Sequence, residues 1–334
     1  MKTINKISTA LLLSALLAAM GSCSSDEDSL LTDSMRNAQP GDTVTYSFTC
    51  QAPAMDGEAA SRAYGDGLTA TKLYYAVYVD ATTLVQSNWP GSAEYVSNDI
   101  TFSNLEADAK IRLVMGQTYT IIWLALAPDS PYTFNTAAGT LSMNYAGAKC
   151  NDESRDAFWT MTAFTAERCS EATTVTLTRP FAQLNIGNTL EDWQYAVDND
   201  RCPTTSGLKV NGVYSTLDLR TGAVSDTTTA VFARNTLPPA SMVYPLQSID
   251  PSTYPKLTSK DDLRYLAMAY VLVNANEDFT ITIDTDIFDP DQGDPWIISP
   301  VPMARNYRTN VYGEFLSFGK RFNIEFVTKT GAGA

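Results

Sequence analysis

Tyr265-Leu266-Ala267-Met268-Ala269-Tyr270-Val271-Leu272-Val273 carries no charge and is apolar at odd and even positions alike. Successive side chains of an extended chain point to opposite faces, so this run predicts a central strand covered on both sides. Tyr119-Thr120-Ile121-Ile122-Trp123-Leu124-Ala125-Leu126-Ala127 makes the same demand in the first half of the chain. Between and around them lie short alternating or apolar runs separated by Gly, Pro, Asn, Asp and Ser, the pattern of an all-β sandwich. Strands are expected at 43–50, 72–80, 99–102, 111–114, 118–127, 173–186, 208–219, 242–246, 265–273, 278–283, 309–317 and 322–328. Helices are few. Thr189 caps a short turn through Tyr195, with Leu190, Trp193 and Val197 on one face and Asp192 at N3. A second short helix is expected around Asp156 to Phe164.

The chain has 334 residues, 44% hydrophobic, enough for two domains of ordinary size. A seam near 165–185 divides an amino-terminal sandwich, 63–172, from a carboxyl-terminal one, 173–334. The net charge of −14 disfavours a nucleic-acid partner, because nothing would neutralise phosphates. Histidine is absent, which removes imidazole acid/base chemistry, Ser-His-Asp and Cys-His nucleophiles and the usual zinc sites. No enzyme activity and no cofactor are expected. The cysteines at 23, 50, 150, 169 and 202 lack metal-ligand spacing. Cys150 and Cys169 either form one disulfide or remain free thiols; spacing does not decide.

The amino terminus reads as an export signal. Lys2 and Lys6 precede a short apolar run, Thr9 to Ala19, and Met20-Gly21-Ser22 leads to Cys23. The run falls well short of the ~20 residues that span a bilayer. Residues 1–22 are the expected lipoprotein signal peptide, and Cys23 the lipidated first mature residue, carrying palmitate or similar chains that hold it in the outer membrane. Residues 23–42, opening on Ser24-Ser25-Asp26-Glu27-Asp28, are small, polar and acidic, and are expected to be a flexible tether.

Thr178-Arg179-Pro180-Phe181-Ala182-Gln183-Leu184-Asn185-Ile186-Gly187, followed by Asp192-Trp193, resembles a signature of the fimbrillin-like domains of Bacteroidales. Asp156-Ala157-Phe158, the 265–273 strand and Val301-Pro302-Met303-Ala304-Arg305-Asn306-Tyr307-Arg308-Thr309-Asn310-Val311-Tyr312-Gly313 resemble further segments of those proteins, in the same order. The acidic stretch after Cys23 is similar to the tag that sends Bacteroidota lipoproteins to the cell surface. The arginines of these motifs read as structural forks that satisfy carbonyls at sheet ends. The resemblance implies two tandem transthyretin-like β-sandwiches in a type V pilus subunit, a surface lipoprotein cut by an arginine-specific surface protease after its first strand. A strand from another pilus subunit then fills the opened groove, which is β-augmentation, and the fimbrium so formed contributes to adhesion to a host or bacterial surface ligand.

The required parts can be placed. Thr43 to Cys50 alternates, with Val44, Tyr46, Phe48 and Cys50 on one face, and residues 43–62 are the expected removable strand and cleavage linker. Arg62-Ala63 ends a small, Gly- and Pro-bearing stretch of the kind proteases cut, with Arg36 as the alternative. At the other end Phe322, Ile324 and Phe326 alternate with polar residues and form either a donor strand or the last strand of the second sandwich. A tip subunit need only accept a strand, and an uncut chain would be an anchor or a binder of glycan or host protein. Asp284, Asp286, Asp289 and Asp291 are a weak Ca²⁺ candidate. The spacing matches no EF-hand and Pro290 restricts the turn, so a solvated acidic turn is the expectation.

Overall fold

The computed structural model describes residues 33–53, 65–169, 171–246, 257, 259, 262–288, 295–317 and 321–328. The strands are β1 (Thr43–Gln51), β2 (Lys72–Val79), β3 (Thr83–Ser87), β4 (Ile100–Thr101), β5 (Glu106–Val114), β6 (Thr118–Leu126), β7 (Tyr132–Asn135), β8 (Thr140–Met143) and β9 (Ala157–Thr165). They continue as β10 (Thr173–Thr176), β11 (Ala182–Thr189), β12 (Thr205–Asp218), β13 (Val224–Thr236), β14 (Leu263–Val271), β15 (Glu277–Thr285), β16 (Trp296–Met303), β17 (Tyr307–Gly313) and β18 (Phe322–Thr328). Helices are confined, among the described residues, to α1 (Asp33–Arg36), α2 (Leu190–Asp198) and a 3-10 turn at Glu153–Arg155. The protein is all-β, as its turn-punctuated sequence predicts.

Two sandwiches share a wall. Sheet β10-β1-β5 packs on sheet β3-β2-β6-β9 around Phe48, Tyr75, Ile111 and Trp123. Sheet β14-β11-β17-β18 packs on sheet β16-β15-β12-β8-β7, which β13 extends from β12, around Leu184, Val210, Met268 and Val311. The back of β2 and β6, bearing Ala76, Tyr78, Ile122 and Leu124, joins this second core. That double burial explains why 119–127 is apolar at every step.

The division at 172/173 is not where the chain changes core. The β7–β8 hairpin lies before it yet pairs with β12 through Thr216↔Ser142 and Leu217↔Leu141, and β10 lies after it yet pairs with β1. The predicted 173–186 strand is two strands, because proline lacks the N–H a ladder needs and the chain crosses between sandwiches at Arg179-Pro180. The 265–273 run, β14 with its flank, is covered on both faces but stands at a sheet edge. Asn151 exchanges hydrogen bonds with Met268 (2.9 and 2.8 Å) and the Tyr145 hydroxyl accepts from the Leu272 amide (3.0 Å), so that edge is capped.

Other expectations are corrected by packing. Residues 157–165 are strand β9, not helix, since Phe158 and Phe164 turn to one core while Trp159 and Met161 turn to the other. Thr189 does cap α2, accepting from the Asp192 amide (3.2 Å), but Trp193 and Ala196 face inward while Leu190 and Val197 are each 45% exposed. Residues 242–246 form no strand; Tyr244 is buried there and its hydroxyl lies 3.1 Å from both the Asn185 and the Val311 carbonyl, which share its one proton. Its ring lies 2.6 Å from where a Cβ on Gly187 would stand, so only glycine fits at that step of β11. Strand β17 stops at Gly313 because Asn188 takes the Phe315 amide (3.0 Å) and Asp192 those of Leu316 (2.7 Å) and Ser317 (2.8 Å). Strands β3, β7 and β8 are not predicted because they are short, β13 because it is polar, as in its Thr227-Thr228-Thr229 run, and β16 because Pro300 and Pro302 interrupt it. The chain also packs earlier than a tether through residue 42 would, since Met35 and Ala38 are buried in the first core and Arg168 Nη2 donates to the Ala38 carbonyl (2.9 Å).

Candidate functional site

β1 is the middle strand of its sheet. It runs antiparallel to β5 from Thr43↔Val114 to Gln51↔Glu106 and parallel to β10 from Phe48↔Thr173 to Gln51↔Thr176. Val44, Tyr46, Phe48 and Cys50 point inward, as their alternation predicts, and none is more than 5% exposed. Phe48 meets Trp123 at 5.1 Å and Phe164 at 5.0 Å between ring centroids, and Tyr46 meets Phe164 at 5.3 Å. Outward, Thr49 donates to Asp108 (2.8 Å) and Gln51 to Glu106 (2.9 Å). Taken out, β1 would leave the facing edges of β5 and β10 unpaired across a gap of one strand, floored by Trp123 and Phe164. Such an edge is a template for another chain.

Burial raises the Cys50 thiol to about 12, with Asp108 adding a smaller push in the same direction. A thiol held protonated in a core is inert, because the thiolate is the nucleophile. Cys50 in the intact protein is therefore expected to resist a maleimide at pH 8, and to react as a free peptide thiol does once β1 leaves its slot. Mass spectrometry of the Cys50 peptide measures this against Cys169 and Cys202, which are half-buried. No disulfide joins Cys150 to Cys169, since Cys150 sits in the second core.

The carboxyl-terminal strand is paired within its own sandwich. β18 lies beside β17 from Tyr307↔Thr328 to Gly313↔Phe322. Ile324 packs on the second core, Phe326 stacks on Tyr307 at 4.8 Å, and Phe322 is 39% exposed. Its polar residues are fastened as well. A buried relay runs from Gln183 to Asn185 (2.9 Å), Asn185 to Asn310 (2.8 Å) and Asn310 to Glu325 (2.7 Å), while Asn323 donates to the Tyr312 hydroxyl (2.7 Å).

The motif arginines and asparagines are structural. Arg179 forks onto Asp156 through Nε (2.8 Å) and Nη2 (2.9 Å), with the two side chains 2% and 1% exposed, and Nη2 also donates to the Gly65 carbonyl (2.6 Å). Its guanidinium stands 4.4 Å from the Phe158 ring centre. Burial would lower the Arg179 pKa, but Asp156 more than offsets this and the guanidinium stays above its usual value. Burial does lower Arg308, which is 5% exposed. The Asp-Ala-Phe and Arg-Pro-Phe segments thus meet across the seam, a convergence that spacing alone does not reveal.

The acidic turn is also in structural use. Arg234 donates twice to Asp284 (2.6 Å each), and Asp286 accepts from the amides of Thr204 (3.0 Å) and Thr205 (3.1 Å). Burial tends to raise the Asp286 carboxyl, but the hydrogen bonds from Thr204 and Thr205 together hold it below the usual range. Asp289 and Asp291 lie outside the described residues, as do Cys23, Arg62 and Ala63. No cluster of three metal-ligating side chains occurs among the described residues, and no helix among them is long and apolar enough to cross a membrane.

Fold and slot together define an all-β protein of two fused sandwiches, the first completed by the chain's own leading strand. The chain belongs to a family of unknown function, DUF6562, whose profile matches residues 38–329. No curated protein matches it significantly. Similar solved structures include a candidate cell adhesion protein from Bacteroides ovatus, at 8% identity and a TM-score of 0.45, covering 87% of this chain and 100% of that one. The tip fimbrial protein Mfa3 of Porphyromonas gingivalis, with a C-terminal truncation, matches at 7% identity and a TM-score of 0.43, covering 86% and 100%. The fimbrial anchor protein Mfa2 of the same organism matches at 7% identity and a TM-score of 0.42, again covering 86% and 100%.

Proposed function

We propose that the protein is a strand-accepting subunit of a cell-surface fimbria, seated at the tip or in a minor position. It is exported as a lipoprotein through Cys23, reaches the outer surface of the outer membrane, and is cut after Arg62 by an arginine-specific protease. A strand from another pilus subunit then replaces β1, and the assembled fimbrium contributes to adhesion. The observation that carries this reading is the position of β1: the first strand among the described residues, lying between β5 and β10 and followed in the chain by the stretch that holds Arg62. Four inward side chains and a full antiparallel register support this reading, because another strand of the same alternation would meet the same ladder and the same core. The relay ending on Glu325 supports an accepting role, because lending β18 to a neighbour would break Asn310–Glu325 inside the protein's own second sandwich. The work is structural rather than enzymatic, consistent with a chain without histidine whose Asp284 and Asp286 hold Arg234, Thr204 and Thr205.

The amino-terminal residue of the protein taken from the cell surface tests this. Mass spectrometry of intact and digested material is expected to find Ala63. A lipidated Cys23 on the surface form would mean that β1 stays, and would replace the accepting role with that of an uncut anchor or a binder of glycan or host protein.

A further inference from the structure

The outward face of the slot carries an ordered set of charges. On β5 the exposed residues Arg112, Lys110, Asp108 and Glu106 stand opposite Thr45, Ser47, Thr49 and Gln51 of β1. Along β1 the facing charges therefore read plus, plus, minus, minus. The resident strand answers with neutral side chains throughout. Thr49 and Gln51 reach Asp108 and Glu106, but Arg112 and Lys110 face Thr45 and Ser47 and have no carboxylate partner among the described residues. β10 adds no charge opposite β1, since its outward residues there are Thr174 and Thr176. Its pairing begins only at Phe48, so the half of β1 opposite Arg112 and Lys110 is laddered to β5 alone.

We infer that this ladder selects the replacement strand. The occupant is a strand of a separate protein, antiparallel to β5 and apolar at alternate positions. It is acidic opposite Arg112 and Lys110, and cationic or hydroxyl-bearing opposite Asp108 and Glu106. Opposite charges in directly facing pairs stabilise a sheet and like charges destabilise it, so the ladder fixes both identity and register. A slip of two residues, which keeps the apolar face inward, would set an acid against Asp108. Once β1 is detached, a strand that matches the ladder binds more tightly than the neutral 43–51 strand. A second copy of this chain is the poorer occupant. With Ile324 and Phe326 in the places of Tyr46 and Phe48, β18 would set Asn323 against Arg112 and Glu325 against Lys110, but apolar Val327 against Asp108.

This selection rests on the strand-exchange reading, and one experiment separates the two. A full-length chain with a site-specific protease sequence placed within residues 54–61 is nicked, so that β1 is held by its contacts alone. Labelled nine-residue peptides then compete for the slot. One carries the native 43–51 sequence. A matched peptide carries Thr45→Glu, Ser47→Glu, Thr49→Lys and Gln51→Lys, and an inverted one carries the same four charges in the opposite order, so composition and net charge are equal. The matched peptide is expected to bind about tenfold to a hundredfold more tightly than the inverted one at low salt, with the gap closing in high salt. Reversing the ladder in the protein (Arg112→Glu, Lys110→Glu, Asp108→Lys, Glu106→Lys) is expected to reverse the preference. Equal binding of the two, with exchange of the native peptide intact, overturns the ladder alone. Failure of every peptide, native included, overturns strand exchange itself. A β18 peptide that equals the matched one assigns the slot to a second copy and overturns the separate partner.

Discussion

Arg179→Met is expected to lower the free energy of unfolding by about 3–5 kcal/mol, because it strands the Asp156 carboxylate in a site 1% exposed to water. A buried ion pair need not be stabilising as a pair, since desolvating both charges offsets most of their attraction. Removing one partner leaves the whole penalty of the other. Asp156→Leu combined with Arg179→Met should therefore recover most of the loss, and urea unfolding of the two variants beside the parent protein measures it. The position of the pair enlarges the effect. Arg179 follows the crossing from β10 towards β11, Asp156 precedes β9, and the Gly65 carbonyl bound by the same guanidinium precedes β2. Recovery by the double variant would show that the stranded Asp156 carboxylate is the source of the loss; a double variant as unstable as the single would show that the Gly65 bond or the packing on Phe158 matters more.

Phe48→Ala is expected to cost about 3–5 kcal/mol, the range for emptying a buried phenylalanine site. Phe48 is 1% exposed and wedged between Trp123 and Phe164. Thr45→Ala, one pleat outward on the same strand, should stay within about 0.5 kcal/mol. The contrast has a functional reading under strand exchange: the inward side chains hold any occupant of the slot, while the outward ones distinguish occupants. Hydrogen exchange should show the loss at Phe48 concentrated in β1 and the facing residues of β5, because the first core is closed on that side by β1. A loss spread evenly over both sandwiches would mean that β1 is no separable unit.

Much of the slot was legible in the residues. The alternation of Val44, Tyr46, Phe48 and Cys50 gave the inward face of β1, whereas the strand expected at 111–114 begins at Glu106, so that Glu106, Asp108 and Lys110 lay outside the predicted strand. Their meeting was not legible, because β1 and β5 are separated by three strands of another sheet. The same limit hid the link between Asp156 and Arg179, and the amide relay from Gln183 to Glu325. Strand β9 was mistaken for helix because both its faces are partly apolar, which blurs the two-residue period. The expected boundary at 172/173 failed because the β7–β8 hairpin crosses to β12 and β10 crosses back to β1, and no change of composition marks either crossing.

By itself the sequence determined that the chain is all-β, which side chains of each clear strand face inward, and that no imidazole is available to it. These are local properties, set by alternation, turn residues and composition within a few positions. Tertiary structure alone decided which strands are neighbours, that one sheet serves both cores, that β18 is fastened within its own sandwich, and that four neutral residues of β1 lie across from four charges of β5. The physical reason is that the two-residue period of a strand fixes the face a side chain takes but not the strand it pairs with. Partners are chosen by long-range burial and register over the whole chain.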